Sequence, residues 1–452
     1  YRDGTTFDTG LDYEGGDTDY LGFDDGTRDL PASLAEAIAG GQFLRPRSFT
    51  NPDGFTPEEI EVFGEDVAAK SSYDLLEKTI PMNLGLSGSF GNSFGFGDGN
   101  RWGFLTAFKY ANKWAHLNEI RREFSASDAG LQLADEVDLI RTANHIDTSL
   151  FANLGVEFAD NHKVGLNAML LRQTEDEARV SEGVEDSQQL RRFQFQWIEN
   201  ELLSYQAVGS HTFPFEDWTL DWQYTDATAT REEPNTRRYR RDDDDGDGVY
   251  QVSTRSDSNS QAWSDLEDQL RHWSVDSTLP LEFGDHSLAL RGGLGDLERD
   301  REATIRTFTF QGRIPNELLT LDQSELLTPP FIDPRILQLR ETTRATDTYT
   351  ASQTLDSKFL NLDLSLFNGE YRVSAGLREE DNRQLVVTAD LSNPNAPPVI
   401  GEIDQVDRLP SAAITWAYSD KAQLRAAYAE SVNRPDFREM APAPYLDPLL
   451  DI

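Results

Sequence analysis

Cysteine is absent from the 452-residue chain, which excludes disulfides, thiolate metal sites and a cysteine nucleophile. No apolar run reaches the roughly 18 residues that a helix needs to cross a bilayer. A membrane-spanning sheet stays open, because only half of each strand then faces lipid. A hydrophobic content of 38% suffices for that. Basic residues are few: 41 Lys and Arg against 80 Asp and Glu, a net charge of −39. Such a balance argues against nucleic acid as a partner, since phosphates are bound by Lys and Arg. It leaves solubility, or acidic loops that gather cations, as readings of the excess. The histidines, at 116, 145, 162, 211, 272 and 286, show no zinc-site spacing. There is no P-loop and no dinucleotide fingerprint. Gly91-Asn92-Ser93-Phe94-Gly95 matches G-x-S-x-G. A nucleophile elbow needs a helix after it, whereas here a glycine turn and another strand pattern follow. No catalytic constellation is defensible, and the chain is not expected to be an enzyme. It also lacks an initiator Met and a signal peptide, so it is expected to be a piece of a longer protein, with strands to come at the C-terminal side.

What is present is alternation. Ala412, Ile414, Trp416 and Tyr418 share one face of a segment whose other face is Ser411, Ala413, Thr415, Ala417 and Ser419. After the turn Ser419-Asp420-Lys421, Ala422, Leu424, Ala426 and Tyr428 repeat the pattern. A period of two marks a strand with unlike faces. Five more such pairs precede it. They turn at Gly95–Asn100, Asp160–His162, Pro214–Asp217, Gly284-Asp285 and Asn368-Gly369; the last is the strongest short hairpin signal. Trp218, Leu220, Trp222 and Tyr224 against Thr219, Asp221, Gln223 and Thr225 is the clearest apolar-out, polar-in strand. Between pairs the predicted connections are long and polar: Leu117–Ala143, Glu177–Gln189, Arg231–Ser260, Phe308–Ala345 and Leu391–Ile403. Aromatics gather at the short turns, as Trp102, Phe213, Phe215, Trp218, Trp416 and Tyr418. Short turns at one rim, long loops at the other and an aromatic girdle describe an all-β, antiparallel meander forming a transmembrane β-barrel. Residues 1–79 alternate poorly; helices are predicted at Leu34–Gly41 and, behind a Thr56-Pro57-Glu58-Glu59 start, at Pro57–Phe63.

Two stretches carry a resemblance. Ser431-Val432-Asn433-Arg434-Pro435-Asp436-Phe437-Arg438-Glu439-Met440-Ala441-Pro442 resembles a segment found inside the barrels of TonB-dependent outer-membrane receptors. Gly15-Gly16-Asp17-Thr18-Asp19-Tyr20-Leu21-Gly22-Phe23-Asp24-Asp25-Gly26-Thr27-Arg28-Asp29-Leu30-Pro31 looks like a second segment of a large subgroup of them. The resemblance implies an incomplete part of a 22-stranded barrel around an internal plug. Residues 1–79 would be the end of a first strand plus a large outer loop near the plug–barrel junction, and residues 80–452 an N-terminal part of the barrel. It implies the outer membrane of a Gram-negative bacterium and active uptake of a ferric siderophore, haem, cobalamin or oligosaccharide. The partners implied are that solute, outer-membrane lipid and, through the plug, the TonB–ExbB–ExbD complex. A passive porin-like or adhesin barrel is the alternative.

Two local readings remain. Asp243, Asp245 and Asp247, with Gly248, sit as in the start of a calcium loop, but Thr254 stands where an EF-hand needs Glu. A weak loop Ca²⁺ is the only metal expected, and no cofactor. Arg28, among Asp24 and Asp25, is expected to lock its own loop by bidentate pairing.

Overall fold

The computed structural model describes residues 6–441, apart from positions 128, 129, 160, 186, 257, 394 and 420. The parts of the turn and motif readings that fall on Asp160, Asp420 and Pro442 lie outside the described residues.

Residues 6–80 make a small layer of their own. Strand β1 (Thr9–Asp12) is followed by α1 (Ala32–Ala37), a short 3-10 turn, α2 (Pro57–Ala69) and β2 (Leu76–Thr79), which pairs antiparallel with β1. The first helix stops earlier than the predicted Leu34–Gly41, because Gly40 adopts a left-handed φ of 68°. The second runs two turns past the predicted Phe63. Thr56 and Glu59 form a reciprocal capping box behind Pro57, and Ile60, Phe63 and Val67 keep one face buried to its end.

The rest is one large antiparallel sheet. Its strands are β3 (Leu84–Phe96), β4 (Asn100–Ser127), β5 (Gly130–Phe158), β6 (His162–Glu185), β7 (Gln188–Phe213) and β8 (Trp218–Asp243). Short β9 (Gln251–Val252) leads to β10 (Asn259–Phe283) and β11 (His286–Gly312). Then come α3 (Gln323–Leu326), β12 (Leu337–Glu341), β13 (Thr348–Leu366), β14 (Tyr371–Thr388), β15 (Val399–Ser419), β16 (Ala422–Ala429) and α4 (Phe437–Met440). Neighbours run from β3 to β16 in chain order, with β9 paired only to β8 and β12 only to β11. Every predicted hairpin is present. At the Asn-Gly turn, Phe367, Asn368 and Gly369 all take positive φ, of 52°, 55° and 92°. Among the described residues β3 and β16 are not paired, so the sheet is open.

Two predicted loops are strand instead. Leu117–Ala143 and Glu177–Gln189 belong to two long hairpins, β4–β5 and β6–β7, paired out to Ser127↔Gly130 and Glu185↔Gln188. Their polar side chains are cross-strand ion pairs, Arg122 with Glu136 and Arg191 with Glu182. Opposite charges facing each other stabilise the ribbons, and Leu139, Leu190 and Phe195 are buried on them as well. Of the other three, Arg231–Ser260 is half strand, since β8 continues to Asp243.

The main core lies where residues 6–80 meet the outer half of the sheet. Leu34, Ile60 and Val67 pack with Phe195, Trp263, Phe308 and Leu339. A second, smaller core joins Tyr349, Ala351 and Val386 to Phe437.

Candidate functional site

Register decides which side chains share a face. Gln223, Ser274, Gly295, Ser357, Glu380 and Asp407 are successive cross-strand partners from β8 to β15, so they line one face. Trp222, Val275 and Leu294 form the adjacent row and point the other way.

The first face is polar and concave. Near the short turns it holds a cavity of about 1060 Å³, reached by Arg101, Glu157, Lys163, Asp221, Gln223 and Asp276. Toward the long connections a second cavity, of about 670 Å³, is lined from Lys109 on β4 across to Arg301 on β11. Seven successive strands around one cavity mean that the sheet curls toward this side. Amide side chains bridge its strands. Asn153 donates to Asn167 at 2.7 Å, Asn167 to Gln206 at 3.1 Å, and Gln206 to Thr225 at 3.3 Å.

The opposite face is apolar near the short turns, with Leu150, Leu166, Tyr224, Leu294 and Leu360 exposed. Aromatic pairs close it at the turns: Phe94 with Trp102 at 4.8 Å, Phe213 with Trp218 at 4.7 Å, and Tyr371 with Trp416 at 6.0 Å. At its other border stand charges. Arg271 lies 3.7 Å from Asp226, and Glu379 lies 2.8 Å from Lys358 and 3.0 Å from Arg408. On β8 the apolar band runs over the seven residues from Trp218 to Tyr224, a little short of the roughly 9–11 tilted residues that span a hydrocarbon layer. Beyond the charges the same face is covered by residues 6–80. There Leu11 donates its N–H to Thr142 at 2.8 Å, and Thr142 has the parity of Leu150 on one unbroken strand.

The Asn433-Arg434-Pro435 segment folds back over the concave face. Arg434 spans two strands, reaching Glu380 at 2.7 Å and Asp407 at 2.5 Å. Asp436 caps α4 and accepts from Arg301 at 3.0 Å. Phe437 is buried beneath the guanidiniums of Arg299 and Arg301, 5.0 and 5.2 Å from its ring centre. Both arginines also bind Asp268, at 2.7 and 2.6 Å.

Arg28 behaves as its loop suggested. It grips Asp19 through both terminal nitrogens, at 2.8 and 2.6 Å, and Asp24 at 2.8 Å, while stacking 4.1 Å above the Trp197 ring. The acidic run is dispersed. Asp243 ends β8 and accepts from the backbone N–H groups of Asp247, at 3.1 Å, and Gly248, at 2.9 Å. Asp247 accepts from Val249 at 2.8 Å, and the Asp245 side chain makes no hydrogen bond or ion pair with the described residues. Among the described residues no three acidic or histidine side chains converge.

Sequence reasoning missed the buried node beside Arg28. Tyr13 donates its O–H to Asp176 at 2.5 Å. Its ring lies 4.8 Å from the Arg237 guanidinium, which also faces the Phe195 ring at 5.3 Å. Burial pushes the Asp176 carboxyl up to about 6, against the pull of Arg28 and the Tyr13 hydroxyl. Burial likewise raises the Tyr13 phenol. These partners are more than 150 residues apart, so no local spacing could have announced them.

A profile of the TonB-dependent receptor-like β-barrel matches residues 194–449. Among solved structures, the chain is similar to the siderophore receptor PiuA from Acinetobacter baumannii, with a TM-score of 0.40 and 12% identity. The match covers 78% of this chain and 50% of that one, so the chain spans about half the length of the structure it matches. No curated protein matches it.

Proposed function

We propose, for a chain that belongs to the TonB-dependent receptor-like β-barrel family, the role of solute-facing wall in an outer-membrane uptake receptor. The observation that carries this reading is the division of one sheet into an apolar, aromatic-bordered outer face and a polar, concave inner face. Every backbone group at hydrocarbon depth must find a partner, and a meander in which each strand pairs with its neighbour provides one. The concave face offers side chains of both signs and amide ladders rather than a catalytic group, which suits passage and recognition better than chemistry. Energy would come from the inner membrane through TonB–ExbB–ExbD acting on a plug within the barrel. The solute would be scarce and too large to diffuse: a ferric siderophore, haem, cobalamin or an oligosaccharide.

The test is uptake by cells carrying the full-length protein, with labelled members of those four classes offered in turn. Accumulation that stops when a protonophore collapses the proton gradient, or when TonB is deleted, supports the receptor. Accumulation indifferent to both would make the barrel a passive pore.

A further inference from the structure

Buried guanidiniums are ordinarily paired, because an ionised group taken out of water without a partner is costly. Arg237 is 3% exposed. Among the described residues it has no ion pair, its Nε is sealed without a hydrogen-bond acceptor, and only the faces of Tyr13 and Phe195 contact its charge. It stands where β8 bulges: register slips between Ala262 and Ser264, and Asn235 takes a φ of 53°. Directly across from Arg237 is Gln261.

Gln261 joins the sheet to residues 6–80. Its amide nitrogen donates to the Ser71 hydroxyl at 2.9 Å and to the Tyr73 hydroxyl, and Asn235 donates to Ser71 at 3.1 Å. Both hydroxyl oxygens therefore accept, which leaves each O–H free to donate elsewhere. If the Gln261 amide is turned over, its oxygen takes the two hydroxyl protons and its own two N–H groups are left over instead. Gln261 Oε1, unless its amide is turned over, and Asn235 Oδ1 are themselves buried without a donor, so the surplus of donors at this spot rests on the unpaired guanidinium. Burial pulls Arg237 below the usual guanidinium range, with Tyr13, Tyr73 and Asp176 opposing and the Arg28 charge reinforcing it; Asp176 is itself engaged by Tyr13.

We propose that Arg237, with Gln261, Ser71 and Tyr73, forms a buried site for a small monovalent anion of chloride size, which fastens residues 6–80 to the sheet. The ion would supply the acceptor that the guanidinium lacks. Because it binds only when the two layers are together, it would stabilise the folded state in proportion to the logarithm of its concentration.

The probe is bromide. Full-length protein crystallised from bromide should show an anomalous peak within hydrogen-bond reach of the Arg237 guanidinium. In detergent, at constant ionic strength, replacing gluconate by chloride or bromide should raise Tm progressively, with the logarithm of halide concentration once the site fills. Arg237→Met should abolish that rise while leaving the protein folded in gluconate. Should that variant not fold, the wild-type anomalous map decides by itself. No peak at Arg237, a Tm indifferent to anion identity, or an undiminished bromide response in Arg237→Met would each overturn the site.

Discussion

Leu220 and Asp221 are adjacent on β8 yet belong to different environments, so a lysine placed at each separates them. Leu220→Lys should cost about 2–4 kcal/mol of folding free energy in lipid vesicles. Asp221→Lys, on the wetted concave side, should cost well under half of that. Equal costs would mean that the assigned faces are wrong. Asp176 gives a different kind of test. Its carboxyl titrates near 6 when folded and near 3.8 when free, so the folded state holds the extra proton between those values. This group's contribution is therefore most favourable below about pH 4 and is lost as pH rises through 6. Asp176→Asn keeps an acceptor for Tyr13 but cannot ionise. Urea midpoints followed by tryptophan fluorescence should fall from pH 4 to 7 more steeply in the parent than in the variant; parallel curves would sink the assignment. At this scale the sequence was readable where partners were near in the chain. Arg28 and its aspartates lie within nine residues, whereas Arg237 faces the rings of Tyr13 and Phe195 from two other segments.

Strands were legible wherever one face is apolar. Leu360 to Leu366 and Trp218 to Tyr224 announce themselves by period two. Their outer continuations did not, because apolar residues such as Ile120, Leu139 and Ile140 stand among charged ones on both faces there and the alternation disappears. That is why Leu117–Ala143 reads as a loop and folds as strand. Helix α4 is the reverse case: four residues, far too short to persist alone, and held by one buried ring. Phe437→Ala should release it. Removing a buried phenyl costs about 3–5 kcal/mol, so tryptic cleavage after Arg438 in the full-length protein should accelerate by about two to three orders of magnitude, a tenfold change corresponding to about 1.4 kcal/mol. An unchanged cleavage rate would show that the segment is held by Arg434 and Asp436 alone.

Across the whole sheet, the two-faced pattern should persist from one strand to the next. The absence of native cysteine makes this easy to read with single introduced cysteines carrying spin labels. Labels at Trp222, Val275 and Leu294 should be accessible to oxygen dissolved in lipid, and labels at Gln223, Ser274 and Ser357 to a water-soluble nickel chelate. A phase that reversed between β8 and β13 would break the continuous face. Periodicity could forecast the meander and its two faces. It could not forecast the curl or the covering of the outer half by residues 6–80, since both arise from contacts between segments hundreds of residues apart.

That covering layer has a consequence in time. Arg306 donates to the carbonyl of Gln42 at 2.8 Å, and Glu341 accepts from the N–H of Leu44 at 2.7 Å. Residues 6–80 therefore find their docking surface only after some three hundred more have been made and the strands between them have paired. Until then Leu34, Ile60 and Val67 have nothing to pack on, and such delayed long-range closure is slow and prone to aggregation. Within this stretch the earlier-made layer is among the last to be fastened, and until then its apolar face needs shielding.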